Sequence, residues 1–301
     1  MIWVTGANGQ LGRSLRRVVE DSDCSYLFTD VAEVDITDRA AVDRFVDEHR
    51  VDVVINCAAY TQVNRAEKEE PAADCINREA VEYLARAAQR CGALLVHIST
   101  DYVFGGSGNL PYREEDPVAP LGVYGRTKQA GEQAVIQSGC RYLILRTAWL
   151  YSEYGNNFVK TMLRLMLEQK QVKVVFDQVG TPTYAGDLAR AIRSLVESEA
   201  CDGEEGIYHF SNEGVCSWFD FACEIARMSG ASCEVLPCRS EEYPSDVKRP
   251  AYSVLDKTKF KRTSQQKIPY WRDSLRICLD RLGVLKKQRE EAQGTLLFDY
   301  E

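Results

Sequence analysis

Ile2-Trp3-Val4-Thr5-Gly6-Ala7-Asn8-Gly9-Gln10-Leu11-Gly12 opens the chain and decides its fold. An apolar run leads into a glycine-rich turn, and residues 10–20 read as a helix. Gly6 permits the tight turn, Gly9 lets a pyrophosphate approach the backbone, and Gly12 lets helix and sheet pack closely. The free N–H groups at the helix start bind phosphate. In a strand–turn–helix unit this spacing points to a dinucleotide; a plain βα turn is the alternative.

The same alternation continues outward from the turn. Strand-like runs fall at 2–5, 25–29, 52–56, 93–98, 141–147 and 172–176. Helix-like segments fall at 10–20, 39–48, 64–69 continuing through 72–91, 124–138, 155–169 and 185–198. Continuous Val/Ile/Leu strands are buried on both faces, as in a parallel sheet. The βαβα order predicts an α/β, doubly wound parallel sheet, Rossmann-like, with a smaller, mainly C-terminal α/β substrate lobe. The expected division is residues 1–150 with 172–200 for the dinucleotide and 151–171 with 201–301 for the substrate. Helices are expected at 217–228 and 271–282. The charge runs Glu67-Lys68-Glu69-Glu70 and Lys286-Lys287-Gln288-Arg289-Glu290-Glu291 read as solvated helix faces.

Bulk properties narrow the function classes. The 301 residues are 45% hydrophobic and 27% charged, an ordinary globular balance. A net charge of −8 argues against nucleic acid or an acidic membrane as partner. No apolar run approaches the ~20 residues of a membrane span, and the N-terminus lacks the basic flank of a signal peptide. Eleven cysteines form no C-x-x-C pair and stand beside only three histidines. They read as reduced thiols of a cytoplasmic protein, with no metal site.

Two further stretches carry chemistry. Leu94-Leu95-Val96-His97-Ile98 runs into Ser99-Thr100-Asp101-Tyr102-Val103-Phe104-Gly105-Gly106. A hydroxyl, a carboxyl and a phenol thus gather at a strand's carboxyl end, where open α/β sheets bind ligands. Tyr124 and Lys128 follow at i, i+4, on one helix face. A phenol of pKa ~10 is a poor acid–base group at neutral pH. A neighbouring ammonium and a positive nicotinamide would lower that pKa. A surface helix pair is the plain alternative. Asn56-Cys57-Ala58-Ala59-Tyr60-Thr61 ends the third strand with small residues, so a cofactor can lie across the sheet edge against Ala59, Tyr60 and Thr61.

The glycine spacing G-x-x-G-x-x-G resembles the extended branch of the short-chain dehydrogenase/reductase superfamily. The resemblance implies that Gly6, Gly9, Gln10, Leu11, Gly12, Asp30, Asp35, Ile36, Ala59, Tyr60, Thr61, Tyr124 and Lys128 bind NADPH or NADH. A carboxylate at Asp30 favours the 2′-hydroxyl of NAD, and Arg13 offsets that preference. Tyr124, Lys128 and Thr100 take the catalytic positions, and Asn77 organises a backbone carbonyl behind the lysine. Extended-family dehydratases carry a glutamate after the aspartate; here Tyr102 follows Asp101, which removes that acid–base pair.

S-T-D-Y-V-F resembles the dTDP-4-dehydrorhamnose reductase family. So do Gly9–Gly12, Asn56–Thr61, Val123–Lys128, Leu145–Tyr151, Gly155–Met162, Asp177–Thr183 and Arg249-Pro250 with Ser253–Asp256. The resemblance implies reduction of the C4 keto group of dTDP-4-dehydro-β-L-rhamnose, with Thr100, Asp101, Tyr102, Trp149, Asn157 and Arg249 at the nucleotide-sugar substrate. Some members are dimers bridged by magnesium through an acidic residue early in the first helix. Here that helix begins Gln10-Leu11-Gly12-Arg13-Ser14-Leu15-Arg16-Arg17 without a carboxylate. A monomer or a metal-free homodimer is the expectation. Two alternatives stay open: a reductase of another nucleotide-linked keto-sugar, and a non-catalytic NADP-binding module similar to the regulatory subunit of methionine adenosyltransferase.

Overall fold

The structure, a computed structural model, describes residues 1–198, 203, 205–243 and 247–285. Its first half runs β1 (Ile2–Thr5), α1 (Gln10–Val18), β2 (Tyr26–Phe28), α2 (Arg39–His49), β3 (Val53–Asn56), α3 (Val63–Ala66), α4 (Glu70–Asp74), α5 (Ala80–Cys91), β4 (Leu94–Thr100), α6 (Val123–Ser138) and β5 (Arg141–Thr147). Then come β6 (Leu150–Tyr151), α7 (Phe158–Glu168), β7 (Gln171–Val175), β8 (Val179–Gly180), β9 (Thr183–Tyr184) and α8 (Ala185–Glu197). The chain continues with β10 (Gly206–His209), β11 (Cys216–Ser217), α9 (Trp218–Ser229), β12 (Glu234–Cys238), α10 (Thr258–Ser264) and α11 (Trp271–Arg281).

Six strands form one sheet in the order β2-β1-β3-β4-β5-β10, every pair parallel. Parallel strands require crossovers, and each crossover helix buries one apolar stripe on the sheet. On one face Leu11 and Leu15 of α1 pack with Leu188, Ile192 and Leu195 of α8 over Ile2, Val4 and Val96. On the other, Val42 and Val46 of α2, Leu84 of α5 and Val135 of α6 pack over Trp3, Val54 and Leu95. The doubly wound expectation is therefore met. A second apolar cluster unites α7, α9 and α11 through Met162, Phe221, Ile225, Trp271 and Leu275.

The structure departs from the expected elements in three places. Residues 172–176 do not join the main sheet: β7 pairs in parallel with β12 as a separate ribbon. The physical reason is legible in Gln171-Val172-Lys173-Val174, which alternates exposed and buried, so only one face is covered. β10 takes the sheet edge beside β5 instead. The long helix expected through 72–91 is broken into α4, a π turn at Cys75–Glu79 and α5. The helix expected from 155 starts at Phe158, because Gly155 is left-handed and the Asn157 side chain caps Lys160 N at 3.2 Å. The charge run 286–291 lies outside the described residues.

One ion pair ties the sheet to α6. Arg146 on β5 grips Glu132 on α6 through Nε to Oε1 at 2.9 Å and Nη2 to Oε2 at 2.7 Å, both side chains under 5% exposed. Glu132 also accepts the Ser99 hydroxyl. Removing one partner strands a buried charge. Arg146→Met is expected to lower unfolding stability by about 3–5 kcal/mol. Urea denaturation checks this, and a loss below about 1 kcal/mol, the ceiling for an exposed pair, would contradict it.

Candidate active site

The strand order reverses at β1, with β2 on one side and β3 on the other. The loops after β1 and β3 meet at this switch point. Gly6 has φ +62°, and a Cβ on it would stand 2.6 Å from Ala58 N. A Cβ on Gly12 would stand 2.5 Å from Gly6 O. Packing therefore demands both glycines. Gly9 differs: a Cβ there would meet only Gly6 O, at 3.2 Å, and the residue faces a cavity. No side chain caps the start of α1 behind it. Open space before uncapped helix N–H groups fits a pyrophosphate.

The cavity measures about 1710 Å³. That exceeds the ~300–1,000 Å³ of a single small-molecule site, so it accommodates a dinucleotide together with a second ligand. Gly9, Gln10, Leu11, Ala59, Thr61, Thr100, Asp101, Tyr102, Tyr124, Lys128, Trp149, Asn157 and Arg249 all line it. Asp30, Asp35, Ile36 and Tyr60 stand outside the lining. Asp30 accepts Asn8 N at 2.8 Å and so holds the glycine turn. Asp35 accepts the Thr37 amide and hydroxyl. Ile36 is buried in the core beneath α2. Tyr60 donates its phenol to Glu69 at 2.7 Å and packs against the small cluster of Ala66, Ala73 and Val123.

The reactive groups converge where β4 ends. Thr100 donates its hydroxyl to Asp101 Oδ1 at 3.1 Å and accepts Tyr102 N at 3.2 Å. Tyr124 lines the same cavity wall as Thr100. Burial pushes the Asp101 carboxyl up to about 6, against hydrogen bonds from Ser253 and Thr100. Asp101 Oδ2 is buried and completes no well-formed hydrogen bond. Burial likewise pushes the Tyr124 phenol above its ordinary value, and Thr100 offsets part of the rise. This corrects the expectation that Lys128 lowers the phenol directly. Lys128 is 1% exposed and turns its amine to Ile98 O at 2.6 Å and His97 Nε2 at 3.4 Å. Burial draws it down to about 8, with Glu132 pulling the other way.

The cavity walls come from the second half of the chain. Trp149 has a left-handed backbone, φ +48°; at a bulky residue this costs about 1–3 kcal/mol and marks an imposed geometry. Its indole stacks on Trp218 with centroids 3.6 Å apart and lies against Gly180. Asn157 reaches the lining, but its amide is committed to Gln10 Oε1 at 2.9 Å and Ser152 O at 2.8 Å. Arg249 lines the cavity with Tyr102 and donates to Asn64 at 3.3 Å. Burial raises the Tyr102 phenol to about 12, and the nearby Arg249 charge offsets part of the rise.

Asn77 sits in the π turn, completely buried. It accepts Tyr60 N at 2.9 Å and donates to Thr127 at 3.1 Å, joining the β3 loop to α6. Sequence reasoning passed over His97 as part of an apolar strand, and took Asn56 only as part of a loop of small residues. In the structure Thr5, Asn56 and His97 stand in register across β1, β3 and β4. Polar residues recurring at the ends of buried strands were the available signal.

Fold and site together define the class: an oxidoreductase-type α/β protein of the extended short-chain dehydrogenase/reductase superfamily. Its family is equally plain. The RmlD substrate binding domain matches residues 1–284, and the chain belongs to that family. It is 42% identical over 283 residues to the dTDP-4-dehydrorhamnose reductase of Aggregatibacter actinomycetemcomitans, covering 91% of this chain and 96% of that one. A crystal structure of a dTDP-4-dehydrorhamnose reductase from Clostridium acetobutylicum superposes with a TM-score of 0.90 at 44% identity, covering 94% and 99% of the two chains. The Bacillus anthracis dTDP-4-dehydrorhamnose reductase, solved in complex with NADP, gives 0.89 at 41% identity, covering 93% and 98%. The family expectation drawn from the motifs is met.

The glycine contacts separate packing from binding. Gly12→Ala is expected to destabilise the fold by about 1–3 kcal/mol, as overpacking does. Gly9→Ala is expected to keep the melting temperature within a few degrees while weakening NADPH binding at least about tenfold, the loss of one good phosphate contact. Thermal melting and NADPH fluorescence titration check both. Equal effects in the two variants would contradict the division.

Proposed function

We propose that the protein reduces the C4 keto group of dTDP-4-dehydro-β-L-rhamnose to dTDP-β-L-rhamnose, using NADPH or NADH. The observation that carries this reading is that Tyr124, Thr100 and Lys128 line one wall of a cavity wide enough for both ligands. The main sheet and its helices would hold the cofactor. The layer of α7, α9, α11 and the β7–β12 ribbon would hold the nucleotide sugar. Asp30 at the Asn8 amide offers a carboxylate to a ribose. Asn8, Arg13, Arg16 and Arg17 line a small cavity beside it, which suits a 2′-phosphate.

A nicotinamide cofactor held at Gly9, Gln10, Leu11 and Lys128 would supply hydride for the sugar carbonyl carbon. Tyr124 keeps its proton at neutral pH because burial holds its pKa up, and delivers it to the carbonyl oxygen. Thr100 turns its hydroxyl toward that oxygen as negative charge develops. Asp101, ionised at neutral pH, presents Oδ2 to a sugar hydroxyl and satisfies an otherwise unpartnered acceptor. Lys128, protonated below about pH 8, lines the cavity beneath Tyr124 and would hold the nicotinamide ribose. Trp149 forms a flat apolar wall for the sugar.

No helix among the described residues is long and apolar enough to cross a membrane. The ten described cysteines are unpaired, which suits a reducing cytoplasm. The protein would act there as a monomer or a metal-free homodimer.

NADPH oxidation on adding dTDP-4-dehydro-β-L-rhamnose tests the reading. Tyr124→Phe is expected to lower kcat by roughly 10²–10⁴-fold, the share of a general acid, with the NADPH Kd changed less than about threefold. Wild-type turnover no faster than that of Tyr124→Phe would sink the enzyme reading. Lys128 is protonated below about pH 8, so kcat/KM is expected to hold below that value and fall above it; a profile flat through pH 9 would contradict the assigned charge. Arg13→Gln is expected to raise KM for NADPH more than for NADH. Equal changes would remove Arg13 from the phosphate site.

A further inference from the structure

A line of buried polar groups runs beneath the cavity from the first strand to the lysine. Thr5, Asn56, His97 and Lys128 are each at most 1% exposed. The Thr5 hydroxyl donates to Asn56 Oδ1 at 2.7 Å, Asn56 Nδ2 meets His97 Nδ1 at 3.1 Å, and His97 Nε2 meets the Lys128 amine at 3.4 Å. The backbone N–H of Ala58 donates to Asn56 Oδ1 at 3.1 Å. A backbone N–H only donates, so it fixes which end of the Asn56 amide is oxygen. The NH₂ end therefore faces His97, and His97 Nδ1 accepts. A neutral imidazole that accepts at Nδ1 carries its proton at Nε2. That N–H points at Lys128.

We propose that His97 is a positioning residue: held by Asn56 as its Nε2–H tautomer, it donates to the Lys128 amine and favours that amine's uncharged form. The proposal rests on the reductase reading for its consequence, because Lys128 is the group beneath Tyr124. An uncharged amine fits its surroundings completely. One N–H goes to Ile98 O, the lone pair accepts from His97, and one N–H remains for the cavity. An ammonium has no lone pair, so one of its hydrogens would oppose the His97 N–H. Other groups bear on the amine. Tyr124 on α6 and the Asp101 carboxylate beyond Thr100 face the cavity. Glu132 on α6 favours the ammonium, but Arg146 and Ser99 hold both its oxygens. Asn56 on β3 is uncharged. The lowered pKa values of Lys128 and His97 agree with this arrangement. Thr5 and Asn56 end the two strands that carry the switch-point loops, so the same hydrogen bonds tie the glycine turn to the lysine.

The chain's three histidines make the test practicable. In cofactor-free protein with ¹⁵N-labelled histidine, long-range ¹H–¹⁵N correlation reads the tautomer directly, with His97→Gln assigning the signal. The Nε2–H form is expected from pH 6 to 9. An Nδ1–H form or an imidazolium in that range would overturn the proposal. Lys128 titration, read from ¹³Cε-labelled lysine with Lys128→Met for assignment, gives the consequence. Asn56→Asp offers only acceptors, so it should turn His97 to Nδ1–H and raise the Lys128 titration by about one pH unit. His97→Leu removes the opposing N–H without adding charge and should move it the same way, covering the case in which Asn56→Asp does not fold. A Lys128 titration unmoved in the folded variants would overturn the coupling. None of these readouts needs turnover, so the reductase reading fails or stands separately.

Discussion

A lysine amine enclosed at the end of a parallel sheet is the constraint on which the rest of the site depends. Burying an ammonium is costly unless its donors are met. Lys128 meets a main-chain carbonyl, Ile98 O, one residue past the point where the pairing of β4 with β3 stops at His97. α6 must therefore lie close to β4 and to the turn that follows it. A Cβ on Gly125 would stand 2.3 Å from Tyr102 O, and one on Gly131 would stand 2.2 Å from Asn77 O. Glu67 accepts Val123 N at 2.7 Å and fixes where the helix begins. With the helix set by these contacts, Tyr124 falls one turn before Lys128, at the cavity wall beside Thr100. The reactive geometry thus follows from packing around the lysine.

The two halves of the chain form opposite walls of the cavity. Thr100, Tyr124 and Lys128 lie on β4 and α6, held by the main sheet. Trp149, Trp218 and the β7–β12 ribbon close the cavity from the other side. The left-handed backbone at Trp149 turns its indole over Gly180 and onto Trp218. Asn157 caps α7 while its amide reaches Gln10 at the start of α1. One side chain thereby fixes the substrate layer against the cofactor turn. A rearrangement of α7 would be felt at Gly9 and Gln10.

Much of this was legible in the sequence, because the deciding signals are local. The Gly6–Gly12 turn sits inside one βαβ unit, and the i, i+4 spacing of Tyr124 and Lys128 needs only a helix. What was not legible depends on long-range pairing. The exchange of β7 for β10 at the sheet edge turns on which partner covers a strand, although Lys173 between Val172 and Val174 hinted at a half-covered ribbon. The role of Asn56 and His97 requires the register of β1, β3 and β4. The upward shift of the Tyr124 phenol comes from burial in the folded site, which no local spacing shows. Asp35 and Ile36 were expected at the cofactor from resemblance alone and Tyr60 from its place at the end of β3, and the structure sets all three outside the cavity's lining.

The central claim is that this site moves a hydride to a sugar carbonyl carbon and a proton to its oxygen. The most direct measurement is the fate of deuterium from NADPH labelled at the nicotinamide C4, followed by mass spectrometry and proton NMR of the sugar nucleotide. One deuterium at C4 of the dTDP-β-L-rhamnose formed, accumulating far more slowly with Tyr124→Phe, is the predicted result. Unlabelled product, or label that stays in the cofactor while the keto-sugar is unchanged, would contradict it.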